Sequence, residues 1–150
     1  MQASPSTRPN HTKARRLVAL AVLPLVAWLV TGCQGAEVAR SIQLTNQARE
    51  ARGTQPVVSN STLQAKAQSW ASVLASQGRL VHSNLAEGTG GGWRALGENL
   101  AEAHSVDEAH QLFMNSSAHR STMLDGRYSQ VGVGVAVRNG TYYVVQVFGG

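Results

Sequence analysis

The chain has 150 residues, 43% of them apolar and 14% charged, which is enough for one domain with a hydrophobic core. Its formal charge is +5, of which +4 comes from the amino-terminal segment, because four of the 13 basic residues precede the first acidic residue, Glu37. The remainder carries nine basic and eight acidic side chains, and this balance argues against a nucleic-acid-binding surface.

A basic leader is followed by an apolar run of 14 residues, Leu17 to Val30. The run is shorter than the roughly 20 residues that a spanning helix needs and is typical of a secretory signal peptide. It ends in Val30-Thr31-Gly32-Cys33, and Cys33 is the only cysteine of the chain. These residues resemble the lipobox of bacterial lipoproteins, whose cysteine is acylated and becomes the new amino terminus.

We therefore predict a lipoprotein signal peptide at residues 1–32, a lipidated Cys33 within a short linker at residues 33–36, and a domain at residues 37–150. The protein would be extracytoplasmic, with the membrane as a partner through Cys33. The alternatives are a buried cysteine after an uncleaved anchor and twin-arginine export through Arg15-Arg16. With Cys33 acylated, no disulfide can form.

Two helices are predicted first. One covers Glu37 to Gly53, with Val38, Ile42 and Thr45 or Asn46 facing inward. We expect the side chain of Asn46 to bond to backbone outside the helix. Arg49 suits the C-terminus of this helix. The other begins at a capping box, Ser61-Thr62-Leu63-Gln64, and ends at Gly78. Its apolar residues recur at helical spacing, at Leu63, Ala67, Trp70, Ala71 and Leu74.

A glycine-rich segment, Glu87 to Gly92, is predicted as a loop. Gly90, Gly92 and Ala95 match a dinucleotide-binding pattern loosely, but no apolar strand precedes them. The letters of a helicase box, Asp107 to His110, occur without a phosphate-binding loop elsewhere in the sequence. We therefore predict neither a nucleotide nor a nucleic-acid partner.

A third helix is predicted from the capping box Ser105 to Glu108, with Val106, Ala109, Leu112 and Phe113 on its inner face. Short polar side chains at Asn115-Ser116-Ser117 should end it. Ser117 would then cap a short fourth helix that carries His119. His104 and His110 are interpreted as solvated.

The carboxyl-terminal part predicts a β-hairpin. Strand-like alternation from Tyr128 to Arg138 is followed by the turn Asn139-Gly140 and by a returning strand, Thr141 to Phe148. The second strand is apolar on both faces and should be central, while Gly132 and Gly134 leave room for a helix. The predicted fold class is α+β, with helices on both sides of a small antiparallel sheet.

Three ionisable residues lie at element boundaries: His82, Glu98 and His119. The segments around them, taken in order, resemble the successive motifs of the CAP superfamily of cysteine-rich secretory, antigen 5 and pathogenesis-related proteins, which includes bacterial SCP-like proteins. The resemblance covers Glu37 to Gly150. The motifs are Asn46-Gln47-Ala48-Arg49, Leu80-Val81-His82-Ser83, Gly97-Glu98-Asn99-Leu100, Phe113-Met114-Asn115-Ser116-Ser117-Ala118-His119-Arg120 and Val131-Gly132-Val133-Gly134.

The resemblance implies an α-β-α sandwich with a central cleft formed by His82, Glu98 and His119, in which Ser116 occupies the place of a second glutamate. It implies His82 and His119 as ligands of a divalent metal such as zinc. Phe113 stands where a tryptophan is usual, and the disulfides of many relatives are missing. The alternative interpretation is that both histidines and Glu98 are structural.

Two classes of function are compatible with these features. The first is a binding module for a small apolar, lipid or cell-envelope ligand, as lipid and sterol binding by some relatives suggests. The second is a hydrolase in which His82 or His119 acts as base on Ser83, Ser116 or a metal-bound water. The sequence has no G-x-S-x-G motif and offers one cleft carboxylate rather than two, so binding is favoured and the catalytic residues stay unassigned.

Overall fold

The computed structural model of the protein describes the backbone of residues 23–150 and the side chains of residues 34–150. The side chains on which the predicted signal peptide and the predicted acylation of Cys33 depend lie outside these ranges, so both stay predictions. None of the described helices combines the length and apolar character needed to cross a membrane.

Helices and strands alternate irregularly along the described chain. In order they are α1 (Leu23–Glu50), β1 (Val58–Ser59), α2 (Ser61–Gln77), β2 (Leu96–Ala103), α3 (Val106–Asn115), α4 (Ser117–Leu124), β3 (Gln130–Arg138) and β4 (Thr141–Gly149). Residues 33–36, predicted as a linker, lie inside α1 and are helical.

The strands form one sheet in the order β1-β3-β4-β2. β4 is central, as predicted, and pairs antiparallel with β3 and β2, whereas β1 adds two residues in parallel to β3. β2 was not predicted from the sequence. Its residues, Leu-Gly-Glu-Asn-Leu-Ala-Glu-Ala, include none of the β-branched or aromatic types that favour strands, so pairing with β4 decides its conformation.

Helices cover both faces of the sheet, which confirms the predicted α+β sandwich. On one face α2 packs through Leu63, Ala67 and Leu74 against Val145 and Val147 of β4. On the other face Phe113 of α3 and Met123 of α4 pack among the inward valines of β3, with Val38 and Ile42 of α1 at the margin. The protein therefore has two apolar layers separated by a single sheet.

Glycines on β3 bring α2 unusually close to the sheet, as the sequence predicted. A Cβ atom on Gly132 would lie 2.0 Å from the Leu63 carbonyl carbon, and one on Gly134 would lie 2.1 Å from the Ala67 carbonyl oxygen. Because backbone fills the place where these side chains would be, only glycine fits there.

The close approach lets two glutamines of α2 bond to the backbone of β3. Gln64 accepts from Val133 N at 3.1 Å and donates to Val133 O, while Gln68 accepts from Val135 N at 3.1 Å and donates to Val135 O at 3.0 Å. The prediction that Gln64 belongs to a capping box is therefore wrong. Asn60 caps α2 instead, since its side chain accepts from Thr62 N and Leu63 N. Gly78 ends α2 with φ of 65°, as predicted.

Asn46 confirms a second prediction about backbone bonding. Its side-chain amide donates to Val57 O at 3.0 Å and accepts from Val57 N at 2.9 Å, which ties α1 to the segment before β1. Arg49 lies in the last turn of α1, as predicted. Its side chain is fully buried beneath α4.

The two short helices differ in detail from the sequence prediction. Phe113 is 1% exposed, but Leu112 is 44% exposed and does not belong to the inner face. Ser105 caps α3 as predicted, although Glu108 accepts from His104 N rather than from the amide of Ser105. Ser116, not Ser117, caps α4. The break at residues 115–117 therefore depends on Ser116.

Candidate functional site

The three predicted cleft residues meet at the β2 edge of the sheet. Side chains alternate along a strand, so Glu98, opposite Val147, belongs to the α2 side, and Asn99, opposite Gln146, belongs to the other side. His82 comes from the loop after α2, and His119 comes from α4. Loop and helix thus approach β2 from opposite faces of the sheet.

Glu98 is the buried carboxylate at the bottom of the site. Its side chain has no exposed surface, and its oxygens lie 2.7 Å from His82 Nδ1, 2.9 Å from Ser83 N and 2.7 Å from Ser83 Oγ. A buried carboxylate needs such donors to offset the hydration it has lost. All three donors come from the two adjacent residues of the loop, so Glu98 fixes that loop to β2.

His82 has the opposite exposure, because its side chain is 63% exposed. With Glu98 ionised, the contact at Nδ1 assigns the ring proton to that nitrogen. Nε2 is then the nitrogen left for a ligand. A carboxylate behind a histidine is a common arrangement at metal sites, where it fixes the tautomer and increases the basicity of the ring.

His119 is held by neighbours on three sides. Its backbone amide donates to Ser116 Oγ at 3.5 Å, its carbonyl accepts from Asn99 Nδ2 at 3.0 Å, and its ring meets Phe113 edge to face at 5.6 Å between centroids. Burial, and then the charge on nearby His82, lower the pKa of His119 below its usual 6.5. At neutral pH the ring is therefore uncharged and able to act as a ligand.

The two serines that a hydrolase would use are engaged in other ways. Ser83 Oγ donates to Glu98, and Ser116 Oγ accepts from the backbone at the start of α4. Within the described residues neither hydroxyl bonds to an imidazole nitrogen. The arrangement of nucleophile and adjacent base that acyl transfer requires is thus not formed by these side chains.

The groups that could ligate a divalent metal at this edge of the sheet are imidazoles. The described residues contain no cluster of three or more His, Cys, Asp or Glu side chains arranged to hold an ion. Both oxygens of Glu98 are occupied by donors, which leaves the imidazoles of His82 and His119 as the available groups. Zinc prefers four ligands, so water would have to complete its coordination.

The other two histidines behave differently from each other. His104 is exposed, as predicted, but His110 is half-buried, and its Nδ1 has no hydrogen-bond partner in the described structure. The pKa of His110 lies below 6.5, and burial of the ring is the main cause. The charge of Asp107 opposes this shift, and the charge of Arg40 adds to it. The interpretation of His110 as solvated is therefore wrong.

A buried polar network behind the cleft was not predicted. Asn99 Nδ2 lies 3.3 Å from Gln146 Oε1, and Gln146 Nε2 donates to Ser41 Oγ at 3.2 Å and to Thr45 Oγ1 at 3.0 Å. The sequence signal was present, since Gln146 is the one polar residue in an apolar run from Tyr142 to Phe148. Because Asn99 also bonds to His119, this network connects α1 and the sheet to the helix that carries the histidine.

Comparison with known proteins shows the family of the chain. A sequence profile described as "CAP: Cysteine-rich secretory protein family" matches residues 42–148, more than half of the chain. The chain belongs to the CAP family. The resemblance predicted from the ordered motifs is thereby confirmed.

Relatives of this CAP protein include bacterial chains that are longer than it. It is 26% identical over 117 residues to the uncharacterized protein YkwD of Bacillus subtilis (strain 168), covering 72% of this chain and 45% of YkwD. The CAP chain thus spans about half the length of that relative.

Two solved structures share the fold. An extracellular protein containing an SCP domain from Bacillus anthracis has a TM-score of 0.68 and 22% identity, over 77% of this chain and 40% of its own. An outer surface protein of Borrelia burgdorferi has a TM-score of 0.64 and 14% identity, over 72% of this chain and 87% of its own. At these identities the similarity shows the fold alone.

Proposed function

We propose that this CAP protein is an extracytoplasmic, membrane-anchored binding protein. Its cleft at the β2 edge takes a small apolar or cell-envelope ligand and binds a divalent metal weakly through His82 and His119. Acylated Cys33 attaches it to the membrane. The anchor is supported by the basic leader, the apolar run and the small residues before Cys33.

The observation that carries the proposal is the bonding of Glu98. The carboxylate accepts hydrogen bonds from Nδ1–H of His82 and from the hydroxyl of Ser83, so the ring is oriented while the serine is withdrawn from nucleophilic use. A fixed imidazole with a free Nε2 suits coordination or hydrogen bonding to a ligand. The hydrolase that pairs a serine with a histidine is disfavoured by the same bonds.

A dication bound to the two imidazoles would act as a Lewis acid on a ligand oxygen. His82 and His119 would hold it, and Glu98 would orient His82 without contacting the ion. Ser116 adds no negative charge where a second carboxylate would otherwise stand. We therefore expect lower affinity than a site with three or four protein ligands provides.

The proposed location and ligand class have separate support. Two proteins of the same fold are described as extracellular or as an outer surface protein. Leu80 and Val81, which directly precede His82, are 41% and 40% exposed, so apolar surface lies next to His82 in the chain. Exposed apolar neighbours of a polar site favour a ligand with an apolar part.

A calorimetric titration with zinc chloride tests the metal site. Full-length protein in detergent micelles should show one weak site at pH 7.5 that is lost at pH 5.5, since protonated imidazoles cannot ligate. The double variant His82→Ala, His119→Ala should lose it, whereas His104→Ala, at an exposed histidine, should keep it. If the double variant binds zinc as the wild type does, the two histidines are not the ligands.

Mass spectrometry of a lipid extract tests the ligand class. Protein purified from its native envelope should retain a small ligand with an apolar part, and a Leu80→Ser, Val81→Ser variant should retain less of it. An extract without any co-purifying molecule from the wild type would contradict the binding proposal while leaving the zinc result standing.

A further inference from the structure

A concave site lies between the outer face of α2 and the loop that follows this helix, the same loop that carries His82. It has a volume of about 630 Å³, within the range of roughly 300–1,000 Å³ usual for small-molecule sites. One wall consists of α2 residues and the other of the loop that leads into the glycine-rich segment. We call it the outer groove, and its principal side chains are Lys66, Ser69, Trp70, Val73, Asn84 and Glu87.

Two side chains of the outer groove, Trp70 and Lys66, are held in place by hydrogen bonds to the loop. Trp70 Nε1 donates to Val81 O at 2.9 Å, which fixes the indole against the loop. Lys66 Nζ donates to Asn84 O at 2.8 Å and lies 5.8 Å from the centre of the Trp70 ring. These two bonds tie the loop to α2, so little ordering is left for a ligand to impose.

Its free polar groups both donate and accept hydrogen bonds. The hydroxyl of Ser69, the side-chain amide of Asn84 and the carboxylate of Glu87 line the groove and belong to exposed residues. Lys66 has two further N–H groups beyond the one given to Asn84 O. The single positive charge of Lys66 is balanced by the single negative charge of Glu87.

We propose that the outer groove binds a neutral, hydroxyl-bearing ring, namely a hexose or N-acetylhexosamine unit of a glycan. Sugar hydroxyls donate and accept as the side chains of Ser69, Asn84 and Glu87 do. The C–H face of such a ring packs on Trp70 and Val73. This site is independent of the function proposed for the cleft.

Other classes of ligand match the groove less well. An acyl chain would cover Ser69, Asn84 and Glu87 without giving them partners, and a buried polar group without a partner is unfavourable. A phosphate or carboxylate would meet Glu87 as well as Lys66, so attraction and repulsion would oppose each other. A neutral polar ring uses both the aromatic wall and both kinds of hydrogen-bonding group.

Nuclear magnetic resonance of the full-length protein in micelles tests this proposal, with N,N′-diacetylchitobiose as the probe. The indole N–H of Trp70, assigned through Trp70→Phe, and the amide of Gly88 should shift saturably. Ser69→Ala should weaken binding about 2- to 10-fold through the loss of one hydrogen bond. Ser72→Ala, the same change on α2 at a residue outside the groove, should leave it unchanged.

Three outcomes would overturn the proposal. They are the absence of a saturable shift, equal binding by Ser69→Ala and the wild type, and stronger shifts of the same signals by inorganic phosphate or palmitate than by the disaccharide.

Discussion

Glu98 Oε1 and His82 Nδ1 lie 2.7 Å apart, and the two side chains have opposite exposures, 0% for the carboxylate and 63% for the imidazole. The contact therefore crosses from the interior to the surface of the protein. Its inner end is fixed by the bonds from Ser83, and its outer end presents Nε2 of His82. This pair accounts for how an exposed histidine on a loop is held in one orientation.

Glu98→Gln should lower zinc affinity about 10- to 100-fold, as expected when the carboxylate behind a metal-binding histidine is neutralised. Calorimetric titration at pH 7.5 measures the change. Glu102→Gln is a matched control, because Glu102 lies on the same strand but is exposed. An equal loss of affinity in both variants would mean that overall charge, not the orientation of His82, determines binding.

Stability should decrease as the pH falls below about 6.5. Burial lowers the pKa of His110 and of His119 in the folded protein, so the unfolded chain takes up protons first and acid favours unfolding. Arg40 and Arg127 hold the pKa of Asp107 and Asp125 below 3.8, so these carboxyls do not titrate in this range.

Urea denaturation at pH 7.5, 6.5 and 5.5 measures this loss. His110→Gln, which cannot take up the proton, should make the midpoint less dependent on pH, whereas His104→Gln, at an exposed site, should not. A wild-type midpoint that is constant from pH 7.5 to 5.5 would show that burial does not affect these histidines.

Arg49→Lys should destabilise the fold by about 2–4 kcal/mol. The buried guanidinium donates to four backbone carbonyls, at 2.7 Å to Gln55, 2.9 Å to Met123, 3.0 Å to Asp125 and 2.8 Å to Tyr128. A lysine ammonium has three donors and lacks the planar fork, so carbonyls would be left without partners.

Arg52→Lys provides the comparison for Arg49. Arg52 is exposed after the end of α1, and its substitution should change the free energy of unfolding by less than about 0.5 kcal/mol. Chemical denaturation of both variants gives the difference. Similar stabilities would contradict a role of Arg49 in joining α1 to the segment that follows α4.

Phe113→Ala should destabilise the protein by about 3–5 kcal/mol, because the ring is 1% exposed and its removal leaves a cavity against the sheet. The adjacent Leu112 is 44% exposed, so Leu112→Ala should cost less than about 0.5 kcal/mol. Thermal unfolding of the two variants separates the inner and outer faces of α3. Equal melting temperatures would mean that α3 is oriented differently.

Metabolic labelling tests the predicted lipid anchor at Cys33. A palmitate analogue should label the wild type in a bacterial host and should not label Cys33→Ser, since no other cysteine exists in the chain. Two acyl chains give stable attachment, so the variant should also leave the membrane fraction. Labelling of both proteins to the same extent would rule out Cys33 as the acylated residue.

Local patterns in the sequence were sufficient for the helices, the C-terminal hairpin and the approach of a helix to Gly132 and Gly134. They failed where contacts distant in sequence decide the outcome. β2 is a strand because β4 lies beside it, and Arg49 is buried because carbonyls from three later segments surround it. Neither fact has a local signature.

The candidate site was predictable in part for the same reason. Ordered motifs located His82, Glu98 and His119. The bond from Ser83 to Glu98 depends on where the loop after α2 meets β2, a distance of 15 residues along the chain. Ser116 caps α4 because α3 ends at Asn115, directly before it. The run Asn115-Ser116-Ser117 contains more than one residue type that can cap a helix, so the sequence did not identify Ser116 as the cap.

Gln64 and Gln68 have a consequence for association between molecules. β1 is only two residues long, so most of the outer edge of β3 would otherwise present unpaired backbone groups. Exposed edges of this kind recruit strands from other chains and promote aggregation. The two side-chain amides of α2, one helical turn apart, occupy the N–H and C=O groups of Val133 and Val135 in place of a neighbouring strand. A helix thereby closes the sheet and keeps this edge from joining that of another copy.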